Sequence, residues 1–401
     1  MSKVWQTKPL GELLSFLTSG SRGWAKHYSD SGDIFLRIQN VGRNQMLLDD
    51  VAFVDAPDSA EARRTRVEPG DVLLSVTADL GRTGVVPEGI GRAYINQHLV
   101  ILRVTGIHPP FLSAFLASPE GQKQVMGRNR HAVKAGLNFD DVRSFNIPLP
   151  PLAEQRRIAE VLDRAEALRA KRRAALAQLD SLIHSVFVDL FGHDSQSPVS
   201  ASDKLHDHSN GWRWELLTDV ARLATGHTPD RERPDYWNGN IPWISLTDIR
   251  DLDGTVVTKT LQNVTSLGIE NSSSVELPAG TVCFSRTASI GFVTIMGSKM
   301  ATSQDFVNWV PGPRLDSTYL MWALIRSRPQ LRAISSGSTH KTIYVRVVEG
   351  FNALVPPIEL QRDFARRVAT VEKLKVAQRA SLAEMDALFA SLQHRAFRGE
   401  L

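Results

Sequence analysis

The chain has a single cysteine, Cys283, among its 401 residues. One thiol excludes a disulfide within the chain and any zinc site built from several cysteine thiolates. Cys283 lies in an apolar run, so we expect it to be buried filler without a chemical role. The sequence also has no apolar run near the roughly 18 residues of a membrane span. Its first residues lack an apolar signal core, which favours a cytoplasmic protein without a membrane.

The familiar catalytic motifs are absent as well. The sequence contains no G-x-x-x-x-G-K-[ST] phosphate loop, no G-x-G-x-x-G fingerprint, no H-E-x-x-H zinc motif and no G-x-S-x-G elbow. His206 and His208 have a spacing that two metal ligands use, but their polar surroundings favour a solvated loop. We therefore expect no catalytic residues and no metal site, which is typical of a binding or assembly protein.

The charge balance carries little information about partners. The chain has 47 basic and 43 acidic residues, for a net charge of +4. An excess this small favours an anionic partner only weakly, so any DNA-binding surface must come from local placement of Arg and Lys.

Two long segments contain neither proline nor glycine. The first follows Pro150 and Pro151 and ends before Gly192; the second follows Pro356 and Pro357. Apolar residues recur in both at steps of three and four, which predicts two long helices, the first about 57 Å in length. Stripes of that length predict that the helices pair along their apolar seams as an antiparallel coiled coil. The predicted seam residues are Ile158, Leu162, Leu168, Leu179, Leu182, Val186, Phe364, Val371, Leu382, Met385 and Leu392.

The chain also contains a long internal repeat. Leu17-Thr-Ser-Gly20 matches Leu223-Ala-Thr-Gly226, 206 residues later. The segment from Gly70 to Gly81 matches that from Gly280 to Gly291, and Asn96-Gln97 matches Ser303-Gln304. Matches that keep their order and nearly one offset predict a duplication of a globular domain followed by a long helix.

The repeat and the punctuation by glycine and proline predict an α+β fold with pseudo-two-fold symmetry. In it, two mixed α/β domains are separated by the two long helices. Each domain is expected to start with a short amphipathic helix, over residues 10–16 and 216–223, and to continue in short strands. The predicted boundaries are residues 1–151 for the first recognition domain, 152–192 for the first long helix, 193–210 for an exposed linker, 211–357 for the second recognition domain and 358–398 for the second long helix.

The loops between the strands carry side chains that suit DNA. Arg and Lys bind guanine edges and phosphates, Asn and Gln bind adenine, and Ser and Thr bind phosphate oxygens. The two copies keep their turns but differ in loop chemistry, which favours two readers with different targets, held by the helices as by a ruler. The candidate DNA-binding residues are Ser21, Arg22, Trp24, Gln39, Asn40, Gln97, Arg128, Arg130, Lys134, His227, Thr228, Tyr236, Thr247, Arg286, Thr287, Ser289, Gln304, Ser338, His340 and Lys341.

Several of these motifs resemble one known family. The Pro148-Leu-Pro-Pro-Leu-Ala-Glu-Gln-Arg-Arg-Ile158 segment, the Gly226-His-Thr-Pro229 run and the Ser285-Arg-Thr-Ala-Ser-Ile-Gly291 run resemble the specificity subunit of type I restriction–modification enzymes. The resemblance implies that each of the two domains reads one half of a split, asymmetric site in double-stranded DNA. The helices would space the domains and dock two methyltransferase (modification) subunits, with restriction/translocase subunits completing the complex. S-adenosylmethionine, ATP and Mg would belong to those partners, so this chain would need no cofactor. The first copy departs from the pattern, since Gly20-Ser-Arg-Gly23 replaces the Gly-x-Thr-Pro run.

Two other interpretations stay open at this point. A non-catalytic coiled-coil scaffold whose globular ends bind proteins would show no preference among DNA duplexes. A nuclease or methyltransferase in its own right would be active without partners, although the sequence offers no catalytic motif for it.

Overall fold

The computed structural model describes residues 5–128, 136–192, 199–200, 210–335 and 341–401. It forms two compact units. Unit 1 comprises Met1–Ala174 and Gln378–Leu401, and unit 2 comprises Ala175–Ala377. Each unit therefore combines one globular domain with part of each long helix.

Unit 1 begins with short strands and ends in helices. Its strands are β1 (Thr7–Pro9), β2 (Leu14–Ser19), β3 (Tyr28–Ser29), β4 (Asp33–Leu36), β5 (Ala52–Val54), β6 (Val72–Ser75), β7 (Thr83–Val85), β8 (Ala93–Ile95), β9 (Leu99–Val104) and β10 (Asn146–Pro148). Its helices are α1 (Ala60–Thr65), α2 (Pro109–Ala117), α3 (Pro119–Gly127), α4 (Phe139–Arg143) and the first part of α5 (Leu152–Phe191).

The main sheet of unit 1 has the antiparallel order β2-β9-β6-β7. A second sheet, β3-β5-β4-β8, contains one parallel pair, β4 with β8, and β1 pairs with β10. The core of the unit lies between the main sheet and α2, where Phe111 and Phe115 pack on Phe397 of the last helix. The end of the chain is therefore part of the first domain's interior.

Unit 2 repeats this arrangement. Its strands are β11 (Val199–Ser200), β12 (Arg213–Leu216), β13 (Ala221–Thr225), β14 (Trp237–Ile244), β15 (Val256–Val257), β16 (Gln262–Val264), β17 (Val282–Ser285), β18 (Val293–Met296), β19 (Ala301–Thr302), β20 (Phe306–Pro311) and β21 (Asn352–Val355). Its helices are α6 (Leu217–Val220), α7 (Leu246–Leu252), α8 (Ser266–Glu270), α9 (Ser317–Arg326), α10 (Arg328–Ala333), α11 (Val345–Glu349) and the first part of α12 (Ile358–Arg398).

The sheet orders in unit 2 correspond to those in unit 1. The main sheet runs β13-β20-β17-β18-β15, the second sheet runs β16-β14-β19 with β14 parallel to β19, and β21 pairs with β11 and β12. Tyr319 of α9 occupies the centre of the core, with Phe187 and Phe191 against its ring. Its hydroxyl donates to the Leu354 carbonyl at 2.9 Å. The predicted duplication and α+β class are therefore confirmed.

The two long helices are antiparallel within each unit. In unit 1, Arg169 Nε donates to Asp386 at 2.7 Å and the Arg172 guanidinium donates to Gln378. In unit 2, Lys375 Nζ lies 2.8 Å from Asp180 and the Phe187 ring lies 5.3 Å from that of Phe364. Both helices end at a glycine with positive φ, Gly192 and Gly399, as is common at helix C-termini.

Two of the predicted seam residues were wrong. Leu168 is 56% exposed and Leu182 is 44% exposed. The seam instead contains the next residue in each case, Arg169 and Ile183. Along α5 the seam passes from Ala165 to Arg169, a step of four residues, whereas a step of three would reach Leu168. Because Arg169 is not apolar, a search for apolar residues alone does not find this position of the seven-residue repeat.

Among the described residues, α5 has the length and composition that a membrane span would need. An 18-residue window of it has a mean hydropathy of 1.3, and 17% of that window is buried. The sequence analysis had found no such run. In unit 2 the apolar side chains Phe187 and Phe191 of this helix pack on Tyr319 and Phe364.

Three further local predictions were wrong. Residues 10–16 form a 3-10 helix, Leu10–Leu13, that runs directly into β2, and residues 216–223 form the short α6 followed by β13. Edge pairing with β9 and β20 overrides the helical pattern there. Within the stretch predicted as an exposed linker, Val199 is buried and pairs with Ala353 of β21.

Candidate nucleic-acid interface

A serine at the end of a central strand holds the same loop in both units. Ser75 Oγ donates to the Asp79 carbonyl at 2.5 Å and accepts from the Arg82 amide at 2.8 Å. Ser285 Oγ donates to the Ser289 carbonyl and accepts from the Phe292 amide at 3.0 Å. One hydroxyl thus closes the loop from both sides in each unit.

The middle of this loop is strained in both units. Ala78 has φ +65° and Ala288 has φ +56°. An L-residue with a Cβ pays roughly 1–2 kcal/mol for the left-handed conformation. Strain that recurs at matched positions of two copies points to a functional loop.

A second loop, which contains Gly20 in unit 1 and Gly226 in unit 2, lies directly against the backbone that precedes a strand of the main sheet, β9 or β20. A Cβ on Gly20 would stand 2.1 Å from the Asn96 carbonyl oxygen, and one on Gly226 would stand 2.1 Å from the Ser303 carbonyl oxygen. Only glycine fits such an approach. The close contact brings the glycine loop beside the residues that follow Asn96 and Ser303.

In unit 1 these loops form an open cleft of about 760 Å³. It brings together three of the predicted residues, Ser21, Arg22 and Gln97. It also contains Thr77 and His98, which the candidate set did not include. The repeat would have identified Thr77, because it corresponds to the chosen Thr287. The lining residues are Ser19, Gly20, Ser21, Arg22, Thr77, Ala78, Gln97 and His98.

His98 links two side chains of this cleft. Its Nδ1 lies 2.6 Å from Thr77 Oγ1, and its Nε2 lies 3.1 Å from Gln97 Nε2. The hydroxyl of Ser21 is buried without a hydrogen-bond partner among the described atoms. The cleft therefore holds an ordered polar row beside an unsatisfied hydroxyl and the exposed Arg22.

In unit 2 the equivalent loops bring together Thr228, Arg286, Gln304 and Lys341. The Thr228 hydroxyl donates to Gln304 Oε1, and Arg286 Nη2 donates to the Gln304 carbonyl at 2.7 Å. The Ala288 amide donates to the Lys341 carbonyl at 3.1 Å. Thr287 and Thr342 form an isolated bridge that ties the two segments together. Lys341 and Gln304 are exposed on this surface.

An arginine–tryptophan stack in unit 2 was not predicted. The Arg231 guanidinium lies 4.0 Å from the Trp237 ring centroid and 4.9 Å from that of Trp243. The indole N–H of Trp243 donates to the His227 carbonyl at 3.2 Å, which joins the stack to the glycine loop. An arginine held against the faces of two aromatic rings presents a cation at a defined place.

Four of the predicted contact residues are buried and serve the fold instead. Trp24 is 4% exposed and packs on Phe35 and Tyr94 with ring centroids 5.1 and 5.0 Å away. Asn40 is 1% exposed, and its side chain bonds to the backbone of residues 37, 47 and 50. Tyr236 and Ser289 are also buried. Aromatic and amide side chains in loops suit a domain interior as well as DNA, so residue type alone misplaced them.

The remaining candidate DNA-binding residues differ in their exposure and in their contacts. Arg128 stacks on Phe145 and donates to Ser144, so its guanidinium stabilises its own domain. Gln39, Thr247 and His227 are exposed, and Thr287 is half-buried. Four predicted residues lie outside the described part of the chain: Arg130, Lys134, Ser338 and His340.

The most strongly shifted titratable groups of unit 2 are structural. Burial raises the pKa of the Cys283 thiol and that of the Tyr319 hydroxyl. Cys283 is fully buried in β17, as the sequence analysis predicted.

Comparison with known proteins identifies similar chains. Over 157 residues this chain is 28% identical to the type I restriction enzyme MjaIX specificity subunit of Methanocaldococcus jannaschii, a match that covers 38% of this chain and 36% of that protein. It is 22% identical over 437 residues to the type I restriction enzyme StySPI specificity subunit of Salmonella potsdam, covering 99% of this chain and 89% of that one.

A solved structure shares the fold. A chain from a study of complex assembly and conformational transition of the type I R-M system superposes with a TM-score of 0.60 at 20% identity, covering 99% of this chain and 98% of that one. The family model described as "Type I restriction modification DNA specificity domain" matches residues 2–178 and 210–383. These two matches take in both copies of the repeat and most of the chain, which therefore belongs to the type I restriction–modification DNA specificity family and carries two of its domains.

Proposed function

We propose that this chain is the non-catalytic DNA-reading subunit of a type I restriction–modification complex, with each unit reading one half of a bipartite, asymmetric site. The observation that supports this most is the pair of matched loop surfaces. Both units hold the serine-pinned loop and the glycine loop in the same way, yet one presents Ser21, Gln97 and His98 and the other presents Thr228, Arg286 and Gln304. Equal scaffolds with different side chains suit two different half-sites.

Selection from a library of randomised DNA duplexes by the full-length chain tests this proposal. We expect a motif of two unlike half-sites, and binding that weakens steeply with salt because phosphate contacts release counterions. Arg286→Ala should change base preference in one half-site only, whereas Arg346→Ala, an exposed residue of α11, should leave both unchanged. Absence of any motif in the wild-type selection would contradict the proposal.

We propose further that the long helices dock two modification subunits. The support is a set of exposed leucines at matched positions, Leu168 with Leu388 in unit 1 and Leu374 with Leu182 in unit 2. Each of these leucines directly precedes a seam residue of the helix pair. Exposed apolar side chains that lie together are a common feature of protein interfaces. Under this proposal S-adenosylmethionine, ATP and Mg act in the partner subunits, restriction/translocase subunits complete the assembly, and the complex is cytoplasmic.

Co-purification with a modification subunit tests the docking proposal. Leu168→Asn combined with Leu388→Asn should lower the stoichiometry of bound subunit from two to one, as should Leu182→Asn combined with Leu374→Asn. The exposed Leu261→Asn in unit 2 serves as the control. Undiminished binding by both double variants would contradict it.

A protein-binding scaffold is the second candidate function. The same exposed leucines favour it, since they suit protein partners whether or not DNA is read. The two functions separate in the duplex selection, because a scaffold selects no sequence. Cleavage or methylation of DNA by the purified chain alone would instead support an enzyme.

A further inference from the structure

Gln97 and Gln304 are presented by the same turn in the two units. In unit 1 the His98 amide donates to Asn96 Oδ1 at 3.1 Å, and in unit 2 the Asp305 amide donates to Ser303 Oγ at 3.3 Å. In each unit the glutamine stands in the middle of that turn. The carbonyl before it lies against the glycine loop. The two side chains therefore leave the backbone from equivalent places.

The Gln97 amide is held by its nitrogen. Its Nε2 donates to His98 Nε2 at 3.1 Å. A neutral imidazole has one acceptor nitrogen and one donor nitrogen, so the proton is on Nδ1, which donates to Thr77 Oγ1 at 2.6 Å. The free end of the Gln97 amide is its carbonyl oxygen, an acceptor in the cleft of unit 1.

The Gln304 amide is held by its oxygen. The Thr228 hydroxyl donates to Gln304 Oε1, and Arg286 Nη2 fixes the backbone carbonyl of the same residue at 2.7 Å. A hydroxyl donor at Oε1 turns that end of the amide toward the protein. The free end of Gln304 is its NH₂ group, a donor.

We infer that the two glutamines read opposite base chemistry: Gln97 accepts from an exocyclic amino group, and Gln304 donates to a base carbonyl or ring nitrogen. In the major groove, adenine N6 and cytosine N4 are donors, while guanine O6 and N7 and thymine O4 are acceptors. His98 and Thr228 are then positioning residues, because each sets which end of a glutamine amide meets the base. The inference rests on the proposed function and assigns a chemistry to each half-site.

Glutamate substitutions distinguish the two orientations. A carboxylate keeps the acceptor and loses the donor. In Gln97→Glu the other neutral tautomer of His98 donates from Nε2 to one carboxylate oxygen while its Nδ1 accepts from the Thr77 hydroxyl. The second oxygen then stays an acceptor toward the base, so this variant should retain the base preference of its half-site within about threefold. Gln304→Glu should lower the preference of the other half-site by about tenfold, because an acceptor then faces an acceptor. Base preferences are read from selection on randomised duplexes by the full-length chain, with Gln178→Glu on the exposed face of α5 as the control for added charge.

The positioning residues supply a second measurement that leaves the glutamines intact. Removing the holding partner with His98→Ala or Thr228→Val should let one amide rotate and so broaden preference at a single base pair. The other half-site should be unchanged. Equal effects of the two glutamate variants, or unaltered preference in both Gln304→Glu and Thr228→Val, would overturn the inference. A wild-type chain that selects no motif would instead remove the proposed function itself.

Discussion

Gly20 and Gly226 are the positions at which the two units leave the least room for a side chain. In each case a Cβ would lie 2.1 Å from a carbonyl oxygen, a separation that real Cβ atoms do not have. The contact is with backbone, so no side-chain rotation relieves it. The glycine loop can approach the adjacent turn only because these residues lack a side chain.

Alanine at either position should destabilise its own unit. We expect Gly20→Ala and Gly226→Ala to lower the free energy of unfolding by about 2–3 kcal/mol through overpacking. Urea denaturation measures the change. Gly23→Ala is the control, because a Cβ there meets no atom within 4 Å. Equal effects at all three positions would refute the close-contact explanation.

Gln155 and Gln361 show what the Pro-Pro…Gln-Arg motif does. Gln155 Oε1 accepts from the His108 amide and its Nε2 donates to the Pro150 carbonyl, both at 2.8 Å. Gln361 Oε1 accepts from the Asp316 amide at 2.8 Å and its Nε2 donates to the Pro356 carbonyl at 2.7 Å. Each glutamine joins the start of a long helix to the start of α2 or α9.

Methionine at these positions removes the hydrogen bonds and keeps the volume. We expect Gln155→Met and Gln361→Met each to cost about 2–3 kcal/mol of unfolding free energy, because buried backbone groups lose their partners. The exposed Gln178→Met should change it by less than about 0.5 kcal/mol. Chemical denaturation followed by circular dichroism gives the comparison, and a neutral effect of both buried substitutions would contradict the structural role.

At the scale of elements, the helix pair carries charges in its seam at matched positions. Arg169 contacts Glu166 and Asp386 in unit 1. Lys375 contacts Glu372 and Asp180 in unit 2 at 2.5 and 2.8 Å. Each residue of one set is 206 residues away from its counterpart in the other set. The duplication has therefore kept a layer of charged side chains at a seam position where paired helices usually have apolar side chains. Polar layers of this kind fix the register of paired helices.

Such a layer is not expected to add stability. The Lys375 side chain is only 9% exposed, and a desolvated ion pair often contributes less than a well-packed apolar residue. We therefore expect Lys375→Leu combined with Glu372→Leu, which leaves no buried carboxylate unpaired because Asp180 is 63% exposed, to keep the unfolding free energy unchanged or to raise it by about 1 kcal/mol, as measured by urea denaturation. The exposed neighbour Lys373→Leu is the control. A loss larger than about 1 kcal/mol would show that the pair stabilises the helices.

At the scale of the whole chain, the C-terminal end of each long helix completes the core of one unit. Phe397 is buried in unit 1 with its ring 5.2 Å from that of Phe115. Phe191, 206 residues earlier, is buried in unit 2 with its ring 4.8 Å from that of Tyr319. The repeat therefore places the same aromatic at the end of each long helix and uses it to close a different domain.

Removing these rings should loosen one unit at a time. We expect Phe397→Ala to lower the stability of unit 1 by about 3–5 kcal/mol and Phe191→Ala to do the same to unit 2. Hydrogen exchange should rise in β6 and β9 for the first variant and in β17 and β20 for the second. Phe139→Ala, at a partly exposed ring, is the control. Equal loss of protection in both units from either variant would refute the division.

Prediction from sequence succeeded where a pattern is local and periodic. The long helices were bounded to within a residue by Pro151, Gly192 and Pro357, since proline and glycine act on the backbone at their own position. Prediction failed for Trp24 and Asn40, whose burial depends on residues far along the chain.

The sequence alone determined the duplication, the two long helices and the membership of the chain in its family, because repeats and periodicities are properties of residue order. Only the tertiary structure decided that Arg169 rather than Leu168 occupies the seam. It also decided that His98 and Thr228 hold equivalent glutamines by opposite ends. The physical reason is that a hydrogen bond or a buried contact requires two groups to meet in space, and residues such as Thr228 and Gln304 are brought together only by the fold.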